Sequence, residues 1–211
     1  MAVVDIYNTD KKYGIIYADP PWQYVFSQSS SRAVTNHYPV MTPEEMNAVP
    51  VKDIADENAV CLMWATMPKL EAAIDLMKEW GFRYSTTAFV WIKQNKKTPT
   101  LFWGMGYYTR SNAEILLLGI KGKPLERYSH SVHQVIMTPI ERHSKKPDIV
   151  RDKIVELFGR GVAKIELFAR QYAEGWDCWG NEVCEDLMIE QEDPGCKQIT
   201  IDDLLNDWRF P

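Results

Sequence analysis

Six residues, Tyr13-Gly14-Ile15-Ile16-Tyr17-Ala18, run straight into Asp19-Pro20-Pro21-Trp22. So short and nearly all-apolar a run reads as a strand, and two successive prolines cannot continue a hydrogen-bonded ladder. An acid is thereby fixed at the carboxyl end of the strand. The rest of the chain keeps alternating. Residues 60–64 read as a second strand, and 68–80 as an amphipathic helix stopped by Gly81, with Leu70, Ile74, Leu76 and Met77 on its buried face. Residues 86–93 and 113–120 read as strands. Residues 148–158 form a helix with Ile149, Ile154, Val155 and Phe158 apolar, and 163–169 a strand with Glu166 at its centre. Thr42-Pro43-Glu44-Glu45 is a helix start with a capping box, and Ser-rich 23–38 reads as a mobile loop. This order predicts an α/β fold: a doubly wound, mostly parallel sheet with helices on both faces. In such sheets ligands bind beyond the carboxyl ends of the strands, where the strand order switches. Asp19 stands at that edge.

Composition constrains the partner once it is read by region. The 211 residues suit one domain, 1–185, with an acidic C-terminal extension at 186–211. The net charge of -5 by itself argues against nucleic acid. Yet residues 183–211 hold eight acids and two bases, while 93–170 hold 15 bases against 7 acids. A basic middle is masked by an acidic tail. Cys61, Cys178, Cys184 and Cys196 show no paired metal-ligand spacing, and no acid or Cys completes a site with His130 and His133, so no metal is expected. Cys61 reads as a small core residue. No signal-like start or run of 18 apolar residues appears, so the expectation is a reduced, cytoplasmic protein with no membrane span.

Asp19-Pro20-Pro21-Trp22 carries the chemistry. A Pro-rich turn with Trp22 covering the core edge is the plain structural reading. The chemical reading concerns an amine conjugated to an aromatic ring, a poor nucleophile because its lone pair is delocalised. If Asp19 and a backbone carbonyl beside Pro20 each accept one of its N–H bonds, the nitrogen is held nearer to sp³ geometry. The prolines fix that backbone, and Trp22 or Tyr24 offers a face for a base.

Residues 15–22 resemble motif IV of the amino-methyltransferases, and the Trp ending resembles the MT-A family of adenine-N6 methyltransferases, which includes the mRNA adenosine methyltransferase catalytic subunit. The resemblance continues in order through Asn58-Ala59-Val60-Cys61-Leu62-Met63-Trp64, Phe89-Val90-Trp91-Ile92-Lys93 and Leu118-Gly119-Ile120-Lys121-Gly122-Lys123-Pro124. It goes on through His143-Ser144-Lys145-Lys146-Pro147-Asp148 and residues 164–170, and closes at residues 175–182. It implies a Rossmann-like methyltransferase fold, S-adenosyl-L-methionine as methyl donor, and transfer to the N6 amine of adenine. By position it places Asp19, Pro20, Pro21 and Trp22 in catalysis. Asp19 would also touch the donor, Lys146 would reach its carboxylate, Arg170 its ribose, and Asn181 with Glu182 its ribose or adenine. Asp5 and Ile6 would border the adenine, with Glu166 and Phe168 alongside. The family often has Gln where this chain has Glu182. Gly104-Met105-Gly106 lacks a third glycine and reads as a loop, consistent with a donor that carries no phosphate.

Lys93, Lys96, Lys97, Tyr108 and Arg110 lie among Phe102, Trp103 and Tyr107, and bases interleaved with aromatics suit a nucleic-acid strand. The alternative is a charged loop whose aromatics tuck into the core. The compact size resembles viral and bacterial relatives, which favours DNA, with the target adenine flipped out of a duplex. RNA is the runner-up. The rival class is a non-catalytic nucleic-acid-binding subunit, and methylation of a protein amide is disfavoured by Asp19 and Trp22. The sequence leaves open whether the domain acts alone or as a homo- or hetero-oligomer. Thr200-Ile201-Asp202-Asp203 reads as the cap of a short helix carrying Leu204, Leu205 and Trp208.

Overall fold

The computed structural model describes residues 2–23, 40–106, 108–142 and 144–183. Tyr24, nearly all of the Ser-rich stretch, Cys184, Cys196 and the whole 186–211 extension with its expected helix lie outside the described residues. The strands are β1 (Tyr13–Ala18), β2 (Ala55–Ala65), β3 (Arg83–Gln94), β4 (Ala113–Lys121), β5 (Val135–Pro139), β6 (Lys164–Leu167) and β7 (Asp177–Trp179). The helices are α1 (Pro43–Ala48), α2 (Val51–Ile54), α3 (Leu70–Glu79) and α4 (Ile149–Phe158).

The strands form one sheet in the order β5-β3-β4-β2-β1-β6-β7. Every pairing is parallel except the two made by β4, which runs against both β2 and β3. The fold is α/β with a mostly parallel sheet, as expected of a Rossmann-like methyltransferase. Side chains of β1 alternate between its two faces. Ile16 and Ala18 meet Met46 of α1, Val51 and Ile54 of α2, and Leu76 and Met77 of α3 in one buried cluster. Ile15 and Tyr17 join Val150, Ile154 and Phe158 of α4 in the other. Both faces are covered, which is why β1 had to be apolar throughout.

Local signals set several boundaries. Thr42 and Glu45 form the capping box of α1, with the Glu45 N–H donating to Thr42 Oγ1 at 3.2 Å and the Thr42 N–H to Glu45 Oε2 at 2.7 Å. α3 starts two residues later than the pattern suggested, because Met67–Lys69 makes a 3₁₀ turn around Pro68. Its buried stripe is Ala73, Leu76 and Met77, whereas Leu70 is exposed and Ile74 only half covered. Gly119 lets α3 approach: a Cβ there would lie 2.3 Å from Met77 Sδ. α4 buries Val150, Ile154 and Phe158, while Ile149 is turned to solvent.

Two strands escaped the pattern. β5 is an edge strand with only Ile136 buried, and β7 is three residues between Gly175 and Gly180. Neither offers the run of apolar residues that identifies a central strand. Topology then makes the site. The chain leaves β1 for β2 through α1 and α2 on one face, and enters β6 from β5 through α4 on the other. β1 and β6 are neighbours, with Ala18 opposite Leu167. Asp19 and Phe168 therefore leave the sheet side by side at the switch in strand order.

Candidate active site

A crevice opens at the carboxyl ends of β1 and β6, lined by Asp19, Arg142, Lys146, Phe168, Arg170 and Gln171, among others. Asp19 is held from one side. Lys146 Nζ donates to its Oδ2 at 2.8 Å, and the same ammonium lies 3.4 Å from Glu114 Oε2. Lys93 Nζ binds the other oxygen of Glu114. Lys93, Glu114, Lys146 and Asp19 thus form a ladder of alternating charge across β3, β4 and the two loops. Beneath it the Lys146 ammonium sits 5.7 Å from the centre of the Trp64 ring, a cation–π arrangement.

Burial and pairing act on the ladder in opposite senses. Burial disfavours the Lys146 cation, but Asp19 and Glu114 overcome it and hold the ammonium protonated well above the ordinary lysine value. Burial also disfavours the Glu114 carboxylate, and Lys146 and Lys93 outweigh it, so Glu114 lies below the usual carboxylate range. At Asp19 burial prevails: its pKa rises against the pull of Lys146. Asp19 is the strained member of an otherwise neutralised set.

The prolines also act through the backbone. The Trp22 N–H donates to the Pro20 carbonyl at 2.8 Å, closing a tight turn, and the carbonyl keeps a second lone pair. Trp22 itself is 6% exposed and its indole N–H donates to the Trp64 carbonyl at 3.2 Å. The ring is built into the floor instead of standing open as a stacking face. Trp64 in turn donates to the Tyr17 hydroxyl at 2.7 Å. Asp19 is thus seated on a rigid aromatic base.

On the β6 side, Glu166 is clamped by Arg151, with Nε donating to Oε2 at 2.6 Å and the second guanidinium nitrogen to Oε1 at 2.8 Å. Arg151 also donates to Asp148 at 2.7 Å. The acid inside an apolar strand is affordable because a bidentate partner comes from α4. Lys145 is engaged by Glu141 and Asp148, which leaves its neighbour Lys146 to face Asp19. Phe168 adopts φ 59°, the left-handed region that side chains seldom occupy. There its ring packs between Trp80 and Trp179, with centroids at 6.4 and 5.4 Å. Gly180 lets the loop after β7 close on the loop after β6, since a Cβ would come within 2.4 Å of the Ala169 carbonyl.

The remaining expected residues divide. Arg170 faces Glu182 at 3.4 Å between Nε and Oε1, and Asn181 precedes it on the surface. Asp5 is exposed and Ile6 buried, both next to the β6–β7 edge. Lys93 belongs to the buried ladder, because Glu114 draws it inward, and so it is separated from the bases it was grouped with. Lys96 and Lys97 are exposed in the connection from β3 to β4. That connection starts as an extension of the hairpin, with the Phe102 N–H donating to the Lys93 carbonyl at 2.9 Å. Its arms touch at Gly104 and Gly106, where a Cβ would lie 2.0 Å from the Ser111 carbonyl and 2.1 Å from that of Thr109. It presents Trp103 at 72% and Tyr108 at 94% exposure, with the Arg110 guanidinium 4.9 Å from the Trp103 ring centre. These two aromatics are at the surface and do not fill the core. Tyr24 lies outside the described residues.

Glu114 and Arg151 were not anticipated. A signal for Glu114 existed: it heads the apolar run Glu114-Ile115-Leu116-Leu117-Leu118, an acid in a strand as conspicuous as Glu166. Nothing in sequence spacing ties Arg151 to Glu166, since they meet only when α4 crosses β6.

The MT-A70 family model matches residues 13–182. The chain is 35% identical over 191 residues to the type II methyltransferase M.MunI of a Mycoplasma species, covering 82% of this chain and 78% of that protein. It is 26% identical over 175 residues to the human N(6)-adenosine-methyltransferase catalytic subunit METTL3, covering 82% of this chain and only 28% of METTL3. The human N(6)-adenine-specific methyltransferase METTL4 is 25% identical over 188 residues, with 38% of its length covered. The matched region contains the Asp19 turn, the charge ladder and the β6 edge, and the chain belongs to the MT-A70 family of methyltransferases.

Proposed function

We propose that this enzyme transfers a methyl group from S-adenosyl-L-methionine to the exocyclic N6 amine of an adenine in nucleic acid, with DNA as the substrate. Adenine-N6 transfer follows from the family and from the activities named for METTL3 and METTL4. The single observation that carries the chemistry is Asp19 beside Lys146 at the switch point of the sheet.

The crevice fits the donor in chemical kind. It offers cations (Arg142, Lys146) near a carboxylate (Asp19) for the charged amino-acid end, and an aromatic ring (Phe168) with Arg170 toward the nucleoside end. Asn181, Glu182, Asp5 and Ile6 are assigned to that nucleoside end, where the loop after β7 and the N-terminal segment meet. Glu166 serves there through Arg151, which keeps both it and the start of α4 in place. When bound, the donor supplies an electrophilic methyl on a sulfonium, so the protein needs neither a metal nor a nucleophilic side chain.

The chain's own residues position the acceptor. The Asp19 carboxylate accepts one amine N–H and the free lone pair of the Pro20 carbonyl accepts the other, with Pro20 and Pro21 fixing both acceptors on one rigid turn. Lys146 orients Asp19 and favours its anion against the effect of burial, and Glu114 with Lys93 keeps Lys146 in place. Trp22 supports the turn from below, and Tyr24 is assigned to stacking on the base. Lys96, Lys97, Arg110, Trp103 and Tyr108 take the strand, by phosphate pairing and base stacking.

DNA is favoured over RNA because the likeness to the type II methyltransferase spans most of both chains, whereas that to METTL3 spans a fraction of it. Methyl-labelled S-adenosyl-L-methionine, offered with adenine-containing DNA and RNA of equal sequence, tests the reading. Label is expected in DNA, as N6-methyladenine. Labelling of RNA alone reverses the choice of substrate, and labelling of neither favours a non-catalytic subunit.

A further inference from the structure

The shortest strand of the sheet, two places over from β1, carries a buried acid at its start. Asp177 of β7 is 6% exposed, and its carboxylate accepts three donors from the first 13 residues. These are the Ala2 backbone N–H at 3.1 Å, the Tyr13 hydroxyl at 2.9 Å and the Lys11 ammonium. Main-chain bonds run beside it. The Cys178 N–H donates to the Ala2 carbonyl at 3.1 Å and the Val4 N–H to the Cys178 carbonyl at 3.0 Å, so Val3 pairs in parallel with Cys178. Residues 2–4 are thus one more rung on the sheet. Two backbone bonds alone would hold so short a rung only weakly. The buried carboxylate is what secures it.

Direction gives the anchor its consequence. Because the rung is parallel to β7, the chain continues past the carboxyl end of that strand, the edge on which Asp19 and Phe168 stand. There the Asp5 carboxylate closes a turn, accepting the Tyr7 N–H at 3.0 Å and the Asn8 amide at 2.7 Å, with Ile6 buried below. The Tyr7 ring meets Trp179 at 6.2 Å and Trp179 meets Phe168 at 5.4 Å, and Phe168 lines the crevice. An unbroken line of contacts leads from Asp177 to the crevice wall without touching the reacting end.

We infer that Asp177 is a positioning residue for the cofactor: by clamping residues 2–13 to β7 it holds Asp5, Ile6 and Tyr7 as the outer wall of the nucleoside end. This rests on reading the crevice as the S-adenosyl-L-methionine site. The carboxylate takes no part in the chemistry, so its removal affects donor affinity and not turnover.

Asp177→Asn in the full chain tests this, with Lys11→Met as a milder variant because Lys11 is half exposed. Hydrogen exchange of residues 2–8, the KM for S-adenosyl-L-methionine and kcat are measured together. For Asp177→Asn, exchange of residues 2–8 is expected to rise with α4 unchanged, the donor KM to rise about tenfold, and kcat to stay within about twofold. Lys11→Met should follow in the same direction with a smaller change. A donor KM unchanged despite faster exchange overturns the positioning role, as does a fall in kcat at constant KM. Should Asp177→Asn fail to fold, an unchanged KM in Lys11→Met is equally fatal. If the wild-type protein binds no S-adenosyl-L-methionine, the cofactor reading falls and takes this role with it, while exchange still reports the anchor separately.

Discussion

The two regions assigned to substrate and chemistry are built in opposite ways. At the ends of β1 and β6 each charged group is bound by others: Lys93 to Glu114, Glu114 to Lys146, Lys146 to Asp19, and Arg151 to Glu166. In the β3–β4 connection, aromatics and bases stand in solvent, and its shape comes from a short hairpin extension at its start and from close backbone approaches at Gly104 and Gly106. A methyl transfer needs its acceptor placed within a fraction of an ångström, and a mutually constrained ion set delivers that. A polyanion of variable sequence needs charge and stackable faces, and an exposed loop delivers those at little cost. Mutations should therefore separate rate from affinity along this line.

Lys146→Met attacks the first region at its hub and should have the largest effect. It leaves Asp19 and Glu114 as neighbouring, partly buried carboxylates with no shared cation. Breaking a fully buried pair costs about 3–5 kcal/mol, so for this partly buried one we expect a smaller drop in Tm, along with a loss of kcat on the order of 10³-fold. Retained activity in a folded Lys146→Met protein would show that Asp19 is held by something else. Glu114→Gln should be milder, with kcat down about tenfold to a hundredfold, because Lys146 keeps Asp19 but loses its second anionic partner. A change in nucleic-acid KM alone would move Glu114 out of the ladder's function.

How much of this could be read beforehand differs between the same two regions. Asp19 and its place were legible because one apolar strand and two prolines determine them locally. Glu166 and Lys146 were legible as positions, but their partners were not. Arg151 reaches Glu166 only through the packing of α4 on the sheet, and Glu114 reaches Lys146 only because β4 reverses beside β2. Lys93 was misgrouped for the same reason: it lies three residues from Lys96 in the chain but faces the opposite environment. β5 and β7 were missed because an edge strand needs few apolar residues. The pattern of hydrophobicity reports burial, and long-range ion pairs leave no period in it.

The second region should yield smaller, purely associative effects. Trp103→Ala and Tyr108→Ala are each expected to raise the nucleic-acid KM by about tenfold, in line with ~1–3 kcal/mol per stacked base, with kcat and Tm nearly unchanged. Removing the charges of Lys96 and Lys97 should weaken binding evenly across sequences and flatten the salt dependence by about one unit of slope per lysine. A fall in kcat at saturating substrate for any of these four would erase the distinction between the regions.

The central claim is that Asp19, strained by burial and steered by Lys146, holds the acceptor amine. Burial opposes the ionised Asp19 and its ion pair with Lys146 favours it, so a neutral amide in its place removes both effects together. The most direct measurement is therefore label transfer from S-adenosyl-L-methionine to DNA by Asp19→Asn, paired with its thermal unfolding. Turnover should be lower by at least about 10³-fold while the variant still unfolds cooperatively, which marks the loss as one of chemistry and not of fold. Wild-type turnover in that variant would contradict it.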